Sequence, residues 1–497
     1  MSTFEVEQPI LNSPFEEPAE HWLIAEGSAP KRLPARRRAG YFYRDPKAPP
    51  PEADHPARGE WQELELVNLI RERLAQWREA GYPGATRTTL DLIRHWRREG
   101  RERRLFFAQL EGAETIIFLN EARSDLLQGV DVPPEVVPDG VDAFTRYACK
   151  MATGSGKTTV MGMVAAWSIL NKVNSRGDGR FSDVVLAVCP NVTIRERLAE
   201  LDPNRGDASI YRTADLVPAD LMPSLRRGRV LVKNWHDFER KGMSAGSKVQ
   251  KNGVPELVKA TIKIGPKTTS GRGGRYMTEQ ALGIAVSQGM RIVEDHRPAK
   301  QEVVVEETRY VESDTKLMQR LLGNEVGGKQ NILVLNDEAH HAYRIRAAAS
   351  SEAEEDAEWL DEDRADELAY ESTVWIDGLD RIHKHRRINF SVDLSATPYY
   401  LARAGEDTNR IFPWVVSDFG LTDAIESGLV KIPQLAHSDP TGEEQAAYFN
   451  IWRWIMSKLT AGERGGKRAN PKVDAVLRYA EHPIRLLALA WEEERKR

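Results

Sequence analysis

The chain reads as an α/β protein in which a parallel sheet is covered by helices on both faces, and three stretches predict this. Tyr147-Ala148-Cys149-Lys150-Met151 is a short strand candidate that runs through a glycine loop into Thr158–Val173, where Val160, Met163, Val164, Trp167 and Leu170 recur at helical spacing. Ile332-Leu333-Val334-Leu335 contains nothing polar, as expected of a strand in the middle of a parallel sheet. Ile388-Asn389-Phe390-Ser391-Val392-Asp393-Leu394 is a third strand candidate of the same kind. Strand, loop, helix and further strands in this order define the class.

The other segments can be justified in chain order. Residues 1–59 are proline-rich and weakly patterned, an N-terminal arm with Lys31, Arg32, Arg36, Arg37 and Arg38 beside Tyr41-Phe42-Tyr43. Residues 60–135 form a mostly helical region, the pattern turning helical from Trp61 to Trp96. Arg94, Arg97, Arg98, Arg101, Arg103 and Arg104 then make a dense basic stretch, read either as a phosphate contact or as a solvated helix face. Residues 136–435 hold the lobe, with Val184–Val188 and Val230–His236 as two more strand candidates. The interval from Lys157 to Asp337 is long for a compact lobe, and the excess lies at about 242–328. There Leu257–Ile264 and Glu302–Val311 alternate as strands do, on either side of the basic loop Lys267–Arg275, so a β-rich insertion is expected. A second insertion, at about 345–370, is acidic, with Glu352, Glu354, Glu355, Asp356, Glu358, Asp361, Glu362 and Asp363. Residues 436–497 offer a linker and two helix candidates.

Composition bounds the function. The 497 residues carry a net charge of −5, unlike a passive basic coat on nucleic acid, so any polyanion contact must come from local patches. The two cysteines, Cys149 and Cys189, lie in apolar strand contexts and argue against a disulfide framework or a zinc cluster. No signal-peptide pattern and no run of about 18 apolar residues is present, so a cytoplasmic protein with no membrane segment is expected.

Chemistry enters at the ends of the three strands. In Met151-Ala152-Thr153-Gly154-Ser155-Gly156-Lys157-Thr158, Gly154 and Gly156 permit left-handed backbone, so that successive N–H groups can turn onto phosphates at a helix N-terminus. Lys157 is placed to reach the β- and γ-phosphates, Thr158 to ligate Mg²⁺, and Thr159 follows on the first helical turn. Asp337 and Glu338 stand at the carboxyl end of the second strand, where open α/β sheets bind ligands. Asp337 is expected to hold Mg²⁺, and Glu338 to position and deprotonate an attacking water. His340 is read as the usual link from such a site to a nucleic-acid side, and His341 as packing or surface. Ser395 and Thr397 cap the third strand and offer hydroxyls to the acidic pair. Together, in this order, the three signatures describe the first motor lobe of a nucleic-acid-dependent ATPase.

Lys150–Thr158, Asn336-Asp337-Glu338-Ala339-His340-His341-Ala342-Tyr343-Arg344 and Leu394-Ser395-Ala396-Thr397-Pro398 resemble the superfamily-2 DEAD/DEAH helicases. The likeness is greatest to the motor subunit of type III restriction endonucleases and related restriction-helicase proteins, over roughly residues 105 to 435. It implies a RecA-like lobe with ATP and Mg²⁺ as cofactors, working as a DNA-dependent translocase of a restriction or antiphage system. It also implies that Gln109 reads the adenine edge, and that Pro190 and Asn191, after Val184–Val188 and Cys189, belong to a first nucleic-acid contact motif. Arg97, Arg98, Arg101 and Arg103 are the accompanying basic candidates. DNA is expected in preference to RNA, with a methyltransferase or nuclease subunit as a further partner. The family's second lobe, with its γ-phosphate arginine, has no counterpart here. Gly271-Arg272-Gly273-Gly274-Arg275 precedes the acidic motif, and too little chain follows Pro398 for a second lobe. A truncated or split motor is therefore expected, its second lobe on another chain or on missing sequence. Glu239-Arg240-Lys241 and Glu494-Arg495-Lys496 have the acid-x-lysine spacing of a nuclease but no partner acid on a preceding strand, so cleavage is not expected. The alternative is a catalytically idle nucleotide-binding module that docks DNA or a partner.

Overall fold

The structure, a computed structural model, describes residues 8–24, 28–45, 59–241, 253–265, 275–287, 290–297, 301–345, 362–401, 407–431, 451–464 and 471–496. It divides into two units: Met1–Ala48 with Arg58–Val430, and Pro49–Ala57 with Lys431–Arg497. In the first unit the principal elements are β1 (Glu20–Leu23), β2 (Lys31–Pro34), β3 (Gly40–Tyr43), β4 (Glu60–Glu63), α1 (Glu65–Glu79), α2 (Arg87–Arg97), α3 (Phe107–Glu121), β5 (Arg146–Met151) and α4 (Lys157–Asn174). There follow β6 (Val184–Cys189), α5 (Val192–Leu198), β7 (Arg229–Asn234), β8 (Gly253–Ile264), β9 (Arg275–Met277), β10 (Arg291–Asp295), β11 (Glu302–Glu312), β12 (Ile332–Asp337), β13 (Ile388–Ser395) and β14 (Val415–Phe419).

Six strands form one sheet in the order β14-β5-β13-β12-β6-β7. Every pairing is parallel. Side-chain alternation explains why these strands are apolar throughout. Val184, Leu186 and Val188 face a cluster with Leu317, Leu321, Trp375 and Leu379. Val185, Ala187 and Cys189 face the opposite cluster, which holds Val160, Val164 and Trp167 of α4. A strand buried on both sides has no use for polar residues, which is the expected α/β architecture. The chain leaves β5 for β6 and β7, returns through β12 and β13, and then passes β5 to end at β14. The reversal next to β5 puts a crevice at the carboxyl ends of the strands.

One expectation is corrected here. Trp61 is expected to open the helical stretch; it lies instead in β4, paired with Phe42 of β3, and the helix begins at Glu65. To the five strands read from the sequence the sheet adds a sixth, Val415–Phe419, hydrogen-bonded along β5.

The insertion is β-rich as anticipated. β10-β11-β8-β9 form a separate sheet around Ile262, Leu282, Val303 and Val305. The basic loop at Lys267–Gly274 and the acids Glu352 to Asp361 lie outside the described residues.

The arm packs on the lobe. Leu11 and Asn12 donate backbone N–H groups to Glu426 O at 2.8 and 3.0 Å, and Phe107 N donates to Pro14 O at 2.8 Å. Arg36 grips buried Glu111 of α3 through two bonds of 2.6 Å. In α3 itself most residues are buried, and its acids are all partnered: Glu111 by Arg36, Glu114 by Arg78 and Arg97, Glu121 by Thr86, Thr89 and Trp167. The second unit packs helix Ile451–Lys458 on helix Val473–Lys496 around Ile455, Leu459 and Ala475.

Candidate phosphate-binding and acidic site

The glycine loop leaves β5 with Gly154 at φ 88° and reaches α4 through Gly156 at φ 93°. Both values lie in the left-handed region that a side chain disfavours. Ser155 ties the turn to itself, its backbone N–H and its hydroxyl both donating to Ala152 O, at 3.2 and 2.7 Å. Lys157 opens α4, while Thr158 and Thr159 sit half-buried on its first turn. The loop thus delivers the chain directly into the N-terminus of α4.

Register brings the motifs together. Asp337 on β12 pairs with Leu394 on β13, and Leu394 pairs with Cys149 on β5. The residues that follow these positions, Glu338, Ser395 and the glycine loop, therefore meet at one edge although they are far apart in sequence. Lys157 Nζ lies 3.0 Å from Glu338 Oε1. Glu338 adopts φ 51° and ψ 49°, a left-handed conformation that strains a non-glycine residue and is characteristic of functional turns.

Asp337 is 1% exposed. Its Oδ1 accepts from Glu338 N at 3.2 Å. Oδ2 has no hydrogen-bond partner, and its nearest cation is Arg197 Nη2 of α5 at 3.8 Å, beyond hydrogen-bond range. Burial, then the neighbouring Glu338 charge, raises the carboxyl above the ordinary aspartate range, while Lys157 and Arg197 oppose that rise. A buried carboxylate oxygen without a donor fits a cation, and Thr158 supplies a hydroxyl from the facing helix. Among the described residues no cluster of three or more His, Cys, Asp or Glu forms a closed metal cage. The donor set suits Mg²⁺, which takes few protein ligands and keeps water and phosphate oxygens.

Ser395 Oγ accepts from Thr397 N at 3.0 Å and lies 2.8 Å from His340 Nδ1. Burial, helped by His341 and Lys157, pushes the His340 ring down to about 3. The ring is therefore neutral, and it shares one hydrogen bond with Ser395, which the hydroxyl donates when the ring hydrogen is on Nε2 and accepts when it is on Nδ1. Its 3.5 Å approach to Glu338 Oε2 is then not an ion pair. Thr397 is exposed and joins the cluster through its backbone. His341 faces away, towards Glu371 at 3.3 Å.

Gln109 stands at the start of α3, buried, with Oε1 accepting from Phe106 N at 2.9 Å. Its amide nitrogen packs on the loop: a Cβ added to Gly156 would lie 1.9 Å from Gln109 Nε2. Asn191 caps α5 at the carboxyl end of β6, its side chain accepting from Ile194 N at 2.9 Å, next to half-buried Pro190.

Of the basic stretch only Arg101 is buried; Arg97, Arg98 and Arg103 remain exposed, and all four bond within the fold. Arg97 is bidentate on buried Glu114 at 2.6 and 2.8 Å. Arg98 pairs with Asp215, Arg103 donates to Thr213 O, and Arg101 donates to the carbonyls of Arg103, His95, Ala214 and Asp215. Arg98, Arg101 and Arg103 fasten the end of α2 to the 213–215 turn, and Arg97 fastens it to α3; acids answer Arg97 and Arg98, carbonyls hold the other two.

Sequence reasoning missed Arg146. It is buried at the start of β5, donating to Asp393 at 2.9 Å, Glu135 at 3.1 Å and Ala342 O at 2.7 Å, with Trp414 beneath it. Asp393 also accepts from Asn336 at 2.8 Å, the residue before Asp337. This network braces β5, β12 and β13 directly behind the acids. An arginine just before a mostly apolar strand candidate was its only signal.

Comparison with family models, with curated proteins and with solved structures finds no match to this chain.

Proposed function

We propose that the lobe binds ATP with Mg²⁺ and acts as the ATP-hydrolysing lobe of a DNA-dependent translocase in a restriction or antiphage system. The observation that carries this reading is the meeting of Lys157, Glu338 and the donor-free oxygen of Asp337 at the mouth of a glycine loop. The Lys157–Glu338 pair keeps both charges in place, and it opens when phosphate draws the ammonium away. The loop N–H groups and Lys157 then hold the phosphates, while Asp337 and Thr158 hold the cation. Bound ATP·Mg²⁺ supplies the electrophilic phosphorus and a charge that grows during transfer. Glu338, released from Lys157, is free to orient a water and accept its proton. Ser395 and His340, joined by their hydrogen bond, connect this edge to β13, the strand between β5 and β12.

Lys157→Ala should abolish binding of a fluorescent ATP analogue, and Glu338→Gln should keep binding while losing turnover. Equal nucleotide binding by wild type and Lys157→Ala sinks the assignment. Binding without turnover, with or without duplex DNA, would favour an idle module that docks DNA or a partner.

A further inference from the structure

Several exposed arginines of the described surface are answered by acids: Arg38 by Glu63 and Glu65, Arg94 by Asp91, Arg98 by Asp215, Arg123 by Asp125 and Arg180 by Asp178. Others are not, and two of these line a concave surface together with lysines. An open cleft of about 570 Å³ is walled by Lys172, Arg176, Arg227 and Lys329 against a single acid, Asp183, with the amides of Gln330 and Asn331 alongside. Asp183 is taken up by Lys329 at 2.6 Å, and Lys172 donates to Asp178 O at 2.8 Å. Among the described residues, the exposed guanidinium groups of Arg176 and Arg227 have no side-chain hydrogen bond or ion pair. Cations lining a concave wall add their potentials, and a polyanion is what such a wall attracts.

Its place in the fold separates this cleft from the site above. Asp183 immediately precedes β6, Arg227 precedes β7 and Asn331 precedes β12, so the cleft lies at the amino ends of three adjacent strands. Lys157 and Glu338 are at the carboxyl ends. The geometry also narrows the ligand. α4 ends at Asn174, between Lys172 and Arg176, and so presents its carbonyl end here, which gives a lone small anion no help from the helix dipole. The cations stand on long side chains from three separate segments, which suits phosphates repeated along a chain better than one compact phosphate.

We propose that this cleft is a contact for the phosphodiester backbone of DNA, with Arg176 and Arg227 as its free cations and Lys172 and Lys329 supporting them. The choice of DNA over another polyanion rests on the function proposed above. The contact is sequence-independent in so far as it runs from arginine and lysine side chains to phosphates.

The test is fluorescence anisotropy of a labelled duplex of arbitrary sequence with the full chain, from low to moderate salt. Arg176→Gln/Arg227→Gln should weaken binding and lower the slope of log affinity against log salt by about 0.9 for each lost contact. Fluorescent ATP binding and thermal melting should match wild type, and Arg94→Gln/Arg123→Gln, which removes two acid-paired arginines, should leave the slope in place. An unchanged slope in the cleft variant, or no duplex binding by wild type, overturns the proposal. Tripolyphosphate competing as effectively as unlabelled duplex would also overturn it, assigning the cleft to small phosphates. Loss of duplex binding in a protein that binds no ATP would keep the cleft and reject the ATPase reading; the reverse pattern would do the opposite.

Discussion

Gly156 shows how tightly the loop is specified at the level of one atom. Its φ of 93° would strain any side chain by roughly 1–2 kcal/mol. A methyl group there would also displace the Gln109 amide from its position. Gly156→Ala should therefore lower both the melting temperature and nucleotide affinity, and adding Gln109→Ala should recover part of the stability. A Gly156→Ala protein that melts like wild type would contradict this. His340 yields a pH effect with a definite sign. Its ordinary value is 6.5 and the folded value about 3, so above pH 6.5 the ring is neutral in both states and contributes nothing. Below pH 6.5 the unfolded chain binds a proton that the folded chain refuses, and stability falls as pH falls, by at most about 1.4 kcal/mol per pH unit. Urea midpoints measured at pH 8, 6 and 5 should fall less steeply for His340→Asn than for wild type. Parallel curves would mean that the ring titrates alike in both states.

At the scale of elements, the arm and α3 are joined by Arg36 and Glu111. Burial alone would raise the Glu111 carboxyl, but the Arg36 charge and its two hydrogen bonds outweigh burial and hold it at about 2. Arg36→Ala strands a buried carboxylate and should cost about 3–5 kcal/mol in urea unfolding, whereas Arg36→Leu/Glu111→Leu should recover most of that loss. A small effect from Arg36→Ala would show that the arm is not anchored by this pair. Which elements were legible in the sequence follows from the same physics. β6 and β12 are buried on both faces, so an unbroken apolar run revealed them. β1 to β4 are four residues long, too short for a pattern to show, and their pairing depends on contacts that no local pattern records. The arginines from Arg97 to Arg103 looked available because their partners, Glu114, Asp215 and the carbonyls of residues 213 to 215, come from other segments. A charge run shows its density, whereas the acids that answer it appear only in the fold.

For the molecule as a whole, the site was more legible than its framework. Lys157, Asp337, Glu338, His340 and Ser395 were singled out by residue type and order, and the sheet register places them at one edge. The buried Arg146–Asp393–Asn336 brace behind them was not, since burial of an arginine is decided by the layers that close over it. The order of the strands carries a temporal consequence. Trp22 N donates to the carboxylate of Glu426 across 404 residues, and the neighbouring arm residues also bind there. At roughly 5–20 residues per second, a ribosome that has released the arm needs on the order of 20 to 80 seconds to deliver its partner. During that interval β5 also lacks both its neighbours, β13 and β14. The newborn lobe thus spends its synthesis as an open sheet with an unclaimed N-terminal strap, the state in which chaperones and proteases meet it.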